Sequence, residues 1–234
     1  MEKNKVTMRF AISTWNGIPT IKAIPADANA SGMVVELTGD SIKENVRNVL
    51  GYVYEQRETF SEGYIAVRRG RLWGYVAIDL SEVVEPIYDN VLDVKEGLSV
   101  VCKGEKYGFL KMRGYTRPAK WTELEYDQAY SFCNGMGRVR KAGLYGYVGD
   151  TPDRKNWIPC EYEEAFDFDT VHPYAVVKVQ GKYGVIDKGG NYKVEPVFDT
   201  YHRTHQRIGQ EYYNATIGDK YYLLSANGTY KEVK

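Results

Sequence analysis

The stretch RLWGYVAIDLSEVVEPIYDN, residues 71–90, decides the fold because its features return three more times in the same order. It contains a Trp-Gly pair, an apolar run, and a Glu-Pro step ahead of a Tyr-Asp pair. The aromatic-Gly pairs are Trp73-Gly74, Tyr107-Gly108, Tyr145-Gly146 and Tyr183-Gly184, at intervals of 34, 38 and 38 residues. Another 38 residues lead to Tyr221-Tyr222, where the glycine is lost. The chain therefore contains a tandem repeat with a period of about 38 residues.

Other residues recur in register with these pairs. Eleven positions before each glycine stands a turn-forming residue, and four positions after that residue stands a valine: Gly63 and Val67, Gly97 and Val101, Gly135 and Val139, Pro173 and Val177. After each glycine come a proline and then an aromatic-acidic pair: Pro86 and Tyr88-Asp89, Pro118 and Tyr126-Asp127, Pro159 and Tyr162-Glu163, Pro196 and Phe198-Asp199. The common order indicates one structural unit that is built several times.

These motifs resemble the WG (KWG) repeat family, which is found largely in bacteria. The matching stretches are FSEGYIAVRRGRLWGYV, VKEGLSVVCKGEKYGFL, GKYGVIDKGGNYKVEPVFD and, more loosely, FCNGMGRVRKAGLYGYV. The resemblance covers about residues 54–234, and it departs from the family where tryptophan becomes tyrosine and where the last copy loses its glycine. It implies a repeat-built β protein without a defined enzymatic activity.

The residues of one repeat predict three short antiparallel strands. Residues 64–68 and 72–78 form a hairpin around Gly70, and residues 83–88 form a third strand after a polar turn. A glycine inside a strand marks a bulge or a place where a neighbouring ring or backbone must come close. We therefore expect the aromatic side chain before each glycine to be substantially buried against the adjacent repeat.

A unit of this size cannot bury both of its faces, so neighbouring repeats must stack. We predict an all-β protein in which the repeats form an open curved array. A closed propeller-like ring is the alternative, although propeller blades usually have four strands and about 40 or more residues.

The first 50 residues lack the repeat signature and are predicted to form an N-terminal cap, with the array over residues 51–234. Asn16-Gly17 between two strand-like runs indicates a hairpin. The segment SIKENVRNVLG indicates a short helix, with Ser41 and Glu44 in capping-box spacing and Gly51 at its end.

Composition excludes several classes of function. Lysine plus arginine equals aspartate plus glutamate at 31 each, so overall charge does not favour nucleic acid or acidic membranes as partners. No stretch approaches the roughly 20 apolar residues of a membrane helix, and no secretion signal is visible, although a removed signal would leave the same pattern. The cysteines Cys102, Cys133 and Cys160 fall at different phases of the repeat, which favours free thiols and a cytoplasmic location.

No catalytic, cofactor or metal site is predicted, and the sequence does not indicate an enzyme. His202 and His205 are the only histidines near metal-ligand spacing, and no set of cysteines or carboxylates accompanies them. The pair Asp167 and Asp169 is explained by solvated strand faces.

The predicted hairpin turns are basic in every repeat. Stacking would align them into a ridge, with acidic residues of the third strand, such as Glu82 and Asp199, on a separate line. The proposed partner-binding ridge contains Arg69, Arg71, Lys103, Lys106, Arg140 and Lys141, beside Arg68, Arg138, Lys178, Lys182 and Lys220. Charged edges also discourage strand-to-strand aggregation, which explains them without a partner.

The sequence favours a non-catalytic interaction module that binds a protein or a cell-surface component, as repeat arrays commonly do. The alternatives are carbohydrate or envelope binding, suggested by the 21 tyrosines, and anionic-ligand binding through the basic ridge.

Overall fold

A computed structural model describes residues 6–15, 18–24, 33–39, 42–51, 53–113, 116–151, 153–170, 172–203, 212–225 and 229–233. These ranges contain 23 β-strands and one α-helix. The strands form small antiparallel sheets, none of which closes into a barrel. The predicted all-β repeat fold is confirmed.

The N-terminal region is a three-stranded sheet followed by a helix. Its elements are β1 (Val6–Trp15), β2 (Ile18–Ile24), β3 (Met33–Gly39) and α1 (Ile42–Leu50), and the strand order is β2-β1-β3. The pairing of Trp15 with Ile18 confirms the predicted hairpin. Its turn residues, Asn16 and Gly17, and the predicted helix cap Ser41 lie outside the described residues.

Five four-stranded sheets follow, and each is built from four consecutive strands. Sheet 1 comprises β4 (Gln56–Ser61), β5 (Tyr64–Arg69), β6 (Leu72–Ala77) and β7 (Glu82–Tyr88), and sheet 2 comprises β8 (Asn90–Val91), β9 (Leu98–Lys103), β10 (Lys106–Arg113) and β11 (Thr116–Lys120). Sheet 3 comprises β12 (Gln128–Ala129), β13 (Met136–Lys141), β14 (Leu144–Gly149) and β15 (Ile158–Tyr162). Sheet 4 comprises β16 (Glu164–Ala165), β17 (Tyr174–Val179), β18 (Lys182–Asp187) and β19 (Tyr192–Phe198), and sheet 5 comprises β20 (Thr200–Arg203), β21 (Tyr212–Ile217), β22 (Lys220–Ser225) and β23 (Tyr230–Val233).

The prediction of three strands per repeat is wrong, because each sheet has a fourth strand. In sheets 2 to 4 this strand is only two residues long, too short to produce a recognisable alternation of apolar and polar residues. It comes from the segment just after the aromatic-acidic pair. Tyr88 still pairs with Trp73 in sheet 1, whereas Asn90 already pairs with Cys102 in sheet 2.

The glycine after each aromatic residue allows two strands to approach closely, as predicted. A Cβ atom on Gly74 would lie 2.2 Å from the Val84 carbonyl oxygen, and one on Gly184 would lie 2.7 Å from that of Val194. The pairing register shifts at the same point, between Trp73 and Tyr75. The same clash recurs at Gly146 with backbone atoms of β15, and at Gly108 with the carbonyl oxygen of Glu123, which follows β11.

The recurring prolines are not all equivalent. Pro86 and Pro196 stand two residues before the aromatic-acidic pair, and their nitrogen atoms lie opposite Gly74 and Gly184. Pro159 is displaced by one position, and Pro118 lies in β11, well before Tyr126. The shared feature is therefore the close backbone approach to the glycine and not the proline itself.

Side-chain burial is greatest two positions beyond the expected one. The aromatic residues Trp73, Tyr107, Tyr145 and Tyr183 are only partly buried, so the prediction of substantial burial holds in part. The residue after the glycine is nearly inaccessible, with exposed fractions of 1% for Tyr75 and Tyr147. Each aromatic residue lies close to the hairpin turn, at the margin of its sheet, and burial rises along the strand away from that turn.

The chain divides into two compact units, Met1–Leu124 and Glu125–Lys234. In the first unit, one core joins Phe10 and Val46 to Ile65 of sheet 1, so the N-terminal region shares a core with the first repeat. A second core in that unit joins sheets 1 and 2. In the second unit, one core joins sheets 3 and 4 and another joins sheets 4 and 5. Within the described ranges, no helix has the length and apolar character needed to cross a membrane.

Candidate functional site

The acidic residue after each recurring aromatic residue has a structural role. Its carboxylate accepts a hydrogen bond from a backbone N–H of the hairpin turn in the following sheet. This N–H would otherwise lack an acceptor. The bonds are Gly104 N to Asp89 (2.7 Å), Ala142 N to Asp127 (2.8 Å), Gly181 N to Glu163 (3.1 Å) and Gly218 N to Asp199 (2.8 Å). Each of these carboxylates therefore ties the segment that leads into a sheet to the hairpin turn of that same sheet.

The residues of the predicted basic ridge fall into two groups. Arg71, Lys103 and Lys106 are exposed on the hairpin turns of the first unit. In contrast, Arg69 pairs with Glu82 at 3.0 Å and stacks over the Tyr54 ring at 5.0 Å. The predicted separation of basic and acidic lines is thus wrong for this pair, because the Arg69 and Glu82 side chains both reach the Tyr54 side chain and meet there.

The same pairing occurs in the second unit. Lys141 forms an ion pair with Glu125, Lys182 forms one with Asp199, and the Arg140 guanidinium lies 5.4 Å from the centre of the Tyr145 ring. Much of the basic charge of the predicted ridge is therefore neutralised or stacked within the repeats.

A cavity of about 320 Å³ lies in the second unit, between sheets 4 and 5 and against residues of sheet 3. We call it the aromatic cavity. Its aromatic lining is Phe166, Phe168, Tyr174, Tyr201 and Tyr213, its charged lining is Arg138, Asp167 and Asp169, and Cys133, Thr170, Ala175, Val176, Val185, Leu224 and Ser225 complete the wall.

Three rings form one side of the aromatic cavity. Phe166 lies just after β16, and its N–H bonds to the Val176 carbonyl oxygen at 3.0 Å. Its ring contacts that of Tyr201 edge to face, with centroids 4.8 Å apart, and the Tyr201 ring lies 5.2 Å from that of Tyr213. Tyr201 and Tyr213 are buried, whereas Phe166 is 37% exposed. Phe166 therefore forms an accessible rim above two buried rings.

The Phe166 backbone is fixed from sheet 3. The hydroxyl of Tyr147 donates to the Phe166 carbonyl oxygen at 2.6 Å, and its ring packs edge to face on Phe168 at 4.9 Å. Burial raises the pKa of the Tyr147 hydroxyl well above its usual value, so the group keeps its proton and remains a donor. Phe166, the rim of the aromatic cavity, is thus held in place by a hydrogen bond from Tyr147 of the preceding sheet.

Arg138 crosses from β13 to the neighbouring sheet. Its Nε donates to the Asp167 carboxylate at 2.8 Å, and another guanidinium nitrogen donates to the Ala165 carbonyl oxygen at 2.9 Å. The guanidinium also lies 3.7 Å from the centre of the Tyr130 ring. Arg138 is therefore extensively engaged by the protein itself.

Asp169 corrects a sequence prediction. We expected it on a solvated strand face, but its side chain is only 7% exposed. The carboxylate accepts the His172 N–H at 2.8 Å and lies 3.3 Å from the His172 Nδ1 atom. Asn134 donates to the Asp169 carbonyl oxygen at 2.9 Å, so the turn is anchored to sheet 3. Nothing in the local sequence marks this aspartate, because its burial depends on the neighbouring repeats.

A second groove, of about 370 Å³, lies in the first unit between β7 and β11. Its charged lining is balanced, with Glu82 and Glu85 opposite Arg117 and Lys120. This groove has no aromatic cluster comparable with that of the aromatic cavity, since Tyr88 is its only ring among the residues that the structure describes.

Cys102, Cys133 and Cys160, all of which the structure describes, form no disulfide bond. In the described part of the chain, no group of three or more histidine, cysteine, aspartate or glutamate side chains could hold a metal ion. His205, half of the histidine pair considered from the sequence, lies outside the described residues.

The repeats match a family of WG-containing repeats in four segments, residues 73–107, 121–145, 150–183 and 183–205. A curated relative, the ATP synthase gamma chain of Alkaliphilus metalliredigens (strain QYMF), is 26% identical over 132 residues, which are 55% of this chain and 43% of that protein. The chain thus spans less than half the length of that relative.

Two solved structures are similar at low sequence identity. The KlHsv2 protein with loop 6CD replaced by a Gly-Ser linker is 11% identical, with a TM-score of 0.43 over 76% of this chain and 67% of that one. Kluyveromyces lactis Hsv2 with its complete loop 6CD is 11% identical, with a TM-score of 0.42 over 72% of this chain and 59% of that one.

Proposed function

The chain belongs to the WG-containing repeat family, and from that premise we propose that it is a non-catalytic module that binds a protein partner at the aromatic cavity. The observation that carries this proposal is the half-exposed ring of Phe166 above the buried rings of Tyr201 and Tyr213. Aromatic residues in partly enclosed pockets are the usual anchors of protein interfaces.

The size of the cavity supports an anchor side chain as its occupant. Its volume of about 320 Å³ is at the lower end of the roughly 300–1,000 Å³ of small-molecule pockets. A protruding side chain of a partner suits that space better than a large cofactor.

The polar framework of the repeats supports the same proposal. The acidic residues of the aromatic-acidic pairs bond to the hairpin turns, and Arg69 and Lys141 form ion pairs within the repeats. These groups stabilise the array, so they contribute little to binding at their present positions. The aromatic cavity remains the strongest candidate contact surface in the second unit.

The test compares two exposed aromatic residues of sheet 4: Phe166, which follows β16, and Tyr192, the first residue of β19. Phe166→Ala removes the rim, whereas Tyr192→Ala removes a ring of nearly equal exposure, 38% against 37%, that does not line the cavity. Both variants and the unmodified chain are immobilised and used to capture proteins from native cell extract. Captured proteins are identified, purified and titrated against each variant.

We expect the partner to bind Phe166→Ala about 30-fold more weakly, which corresponds to the roughly 2 kcal/mol of an anchor residue. Its affinity for Tyr192→Ala should stay within about threefold of the original value. A partner that loses affinity only for Tyr192→Ala, or for neither variant, contradicts recognition at this cavity.

A further inference from the structure

The groove between β7 and β11, which we call the edge groove, lies between the outer strands of two sheets. In the described part of the chain, β7 pairs only with β6, and β11 pairs only with β10. An outer strand has a row of backbone N–H and C=O groups without a partner in its own sheet. The edge groove therefore separates two strand edges, each of which can bond to an added extended chain.

The side chains along β7 show that its edge borders the groove. Val83, Val84 and Glu85 follow one another in the chain, and all three line the groove. Successive side chains of a strand point to opposite faces of its sheet, so three in a row line one space only at the edge of the strand. The Val84 carbonyl oxygen and the Pro86 nitrogen lie against Gly74 of β6, on the other side of β7. The N–H that proline lacks is therefore not missing from the edge that borders the groove.

The length of the edge groove suits a short segment of chain. Its wall on the β7 side runs from Glu82 to Tyr88, and its wall on the β11 side runs from Arg117 to Lys120. At about 3.3 Å per residue, these walls are about 20 Å and about 10 Å long, and an extended segment of about four residues covers the part that both walls flank. A free amino acid or an inorganic ion fills only a small fraction of that length.

Two of the four charged side chains of the edge groove are already engaged. Glu82 pairs with Arg69 at 3.0 Å, and Lys120 pairs with Glu123 at 2.8 Å. A ligand that bound to Glu82 or Lys120 would have to replace a contact within the protein. The charges that a ligand can meet without such a replacement are those of the other two side chains.

Glu85 on β7 and Arg117 on β11 carry these remaining charges. Both residues are exposed, and in the described part of the chain neither side chain takes part in an ion pair or a hydrogen bond. The two charges have opposite signs and stand on opposite walls. The edge groove thus offers a carboxylate on one side and a guanidinium on the other.

The Tyr88 side chain adds a hydrogen-bond donor on the side of Arg117. Burial raises the pKa of its hydroxyl, and the charges of Lys120 and Arg117 act in the opposite direction. The hydroxyl thus keeps its proton at neutral pH and lies within the electrostatic field of both cations. A carboxylate that reaches Arg117 can accept a hydrogen bond from this hydroxyl as well.

Ligands with a single sign of charge fit the edge groove poorly. An anionic ligand that reaches Arg117 also meets the Glu85 carboxylate, and a cationic ligand that reaches Glu85 also meets Arg117. A neutral ligand covers both charges without replacing the water that they lose. The groove is therefore complementary to a ligand that carries a positive charge on one side and a negative charge on the other.

We propose that the edge groove binds an extended segment of a protein partner in which a basic residue and an acidic residue are adjacent in sequence. Successive side chains of an extended chain point to opposite sides. The basic side chain then reaches Glu85 while the acidic one reaches Arg117 and Tyr88, and the backbone of the segment bonds to the edge of β7. This site is separate from the aromatic cavity and does not depend on the proposed function.

The test uses capped hexapeptides that are titrated into the full chain at low salt, with the backbone amide shifts followed by NMR. Thr-Val-Lys-Glu-Val-Thr contains the adjacent pair of charges. Thr-Lys-Val-Glu-Val-Thr has the same composition, but its charges are two positions apart and point to the same side. Three further peptides replace the adjacent pair by Gln-Gln, Lys-Lys or Glu-Glu.

We expect the peptide with the adjacent pair to bind about fivefold more tightly than each of the other four, because only this peptide forms both exposed ion pairs without a repulsion. The shifts should centre on Glu85, Ile87 and Arg117. The preference should shrink as salt is added, since both ion pairs are exposed.

Variants of the two walls test the origin of this preference. Glu85→Gln and Arg117→Gln should each lower the affinity for the adjacent pair about two- to threefold. Glu85→Lys makes both walls basic, so the Glu-Glu peptide should then bind most tightly. Glu105→Gln and Arg71→Gln change exposed residues of the first unit outside the groove and should leave the affinity unchanged. All of these positions are exposed, and thermal unfolding checks that each variant keeps its fold.

Several results would overturn the inference. They are equal binding of the peptides with adjacent and separated charges, equal binding of the Gln-Gln peptide, no binding by any peptide, and shifts confined to the aromatic cavity. A Lys-Glu dipeptide with free termini that binds as tightly as the hexapeptide indicates a small zwitterion as ligand and overturns the extended segment. None of these results changes the expectation for Phe166→Ala, so the proposed function is judged on its own.

Discussion

The contact between sheets 3 and 4 through Tyr147 predicts a graded loss of stability. Tyr147 is 1% exposed, packs on Phe168, and donates a hydrogen bond to the Phe166 carbonyl oxygen at 2.6 Å. Tyr147→Phe removes only the hydrogen bond and should cost about 1–2 kcal/mol. Tyr147→Ala removes the whole ring from the core and should cost about 3–5 kcal/mol.

Two further tyrosines calibrate this expectation. Tyr221 occupies the position equivalent to the recurring aromatic residue in the last sheet and is 65% exposed, so Tyr221→Ala should cost less than about 0.5 kcal/mol. Tyr145 is partly buried, and Tyr145→Ala should give a loss between those of the other two alanine variants. The expectation that the aromatic residue before each glycine is substantially buried would place a large loss at Tyr145, and the partial exposure of Tyr145 reduces that loss.

Thermal unfolding followed by circular dichroism measures the series. For a chain of this length, 1 kcal/mol corresponds to about 2–4 °C in Tm, so Tyr147→Ala should lower Tm by about 6–20 °C and Tyr147→Phe by about 2–8 °C. Tyr221→Ala should change Tm by no more than about 2 °C. Equal losses for Tyr147→Ala and Tyr221→Ala would refute the view that burial between neighbouring sheets stabilises the repeats.

Three further predictions concern the repeat framework and the ridge. Gly146→Ala places a Cβ atom 2.6 Å from the carbonyl oxygens of Ile158 and Pro159 and should cost at least about 1–3 kcal/mol in urea unfolding; an unchanged midpoint would contradict the close approach. The hydrogen bonds from Lys182 and from the Gly218 N–H lower the pKa of the exposed Asp199 in the folded protein. The Asp199 carboxylate therefore stabilises the fold fully above its unfolded pKa of about 4, and this stabilisation is lost as the pH falls through the lower pKa of the folded state. Asp199→Asn should therefore reduce the acid sensitivity of Tm, whereas Asp219→Asn should not, and equal pH profiles would refute this role. Arg71→Ala with Lys103→Ala should weaken retention on heparin at low salt more than Arg69→Ala with Lys141→Ala, because the latter residues are paired internally; retention that ignores both salt and these substitutions would exclude the basic ridge.

The repeat and its all-β class could be predicted because they depend on local patterns. The glycine of each aromatic-Gly pair leaves room for a neighbouring backbone segment, so its position in the sequence shows where two backbones meet. The two-residue strands such as β8 could not be predicted, since two residues carry no periodicity. Their pairing is fixed by the acid that precedes them, as Asp89 shows through its bond to the turn at Gly104.

The aromatic cavity could not be predicted from the sequence. Its wall combines Arg138 of sheet 3, Asp169 after β16, and Tyr213 of sheet 5, residues that are far apart in the chain. Arg138 was assigned to a basic turn because the sequence shows its charge and not its partner. The tyrosine count indicated aromatic packing, but it did not show which rings would enclose a space.

The boundary between two sheets falls inside the repeated sequence motif, next to its aromatic-acidic pair. This position affects how such a protein can gain or lose whole repeats. Each sheet pairs only strands that follow one another in the chain, and the crossing from one sheet to the next occurs at residues such as Asp89, between β7 and β8. A recombination event that joins equivalent positions of two repeats therefore regenerates a complete sheet from two halves, wherever in the repeat the joint falls. Insertions and deletions of whole periods preserve every pairing, whereas a deletion that includes Asn90 and Val91 removes the first strand of the sheet downstream.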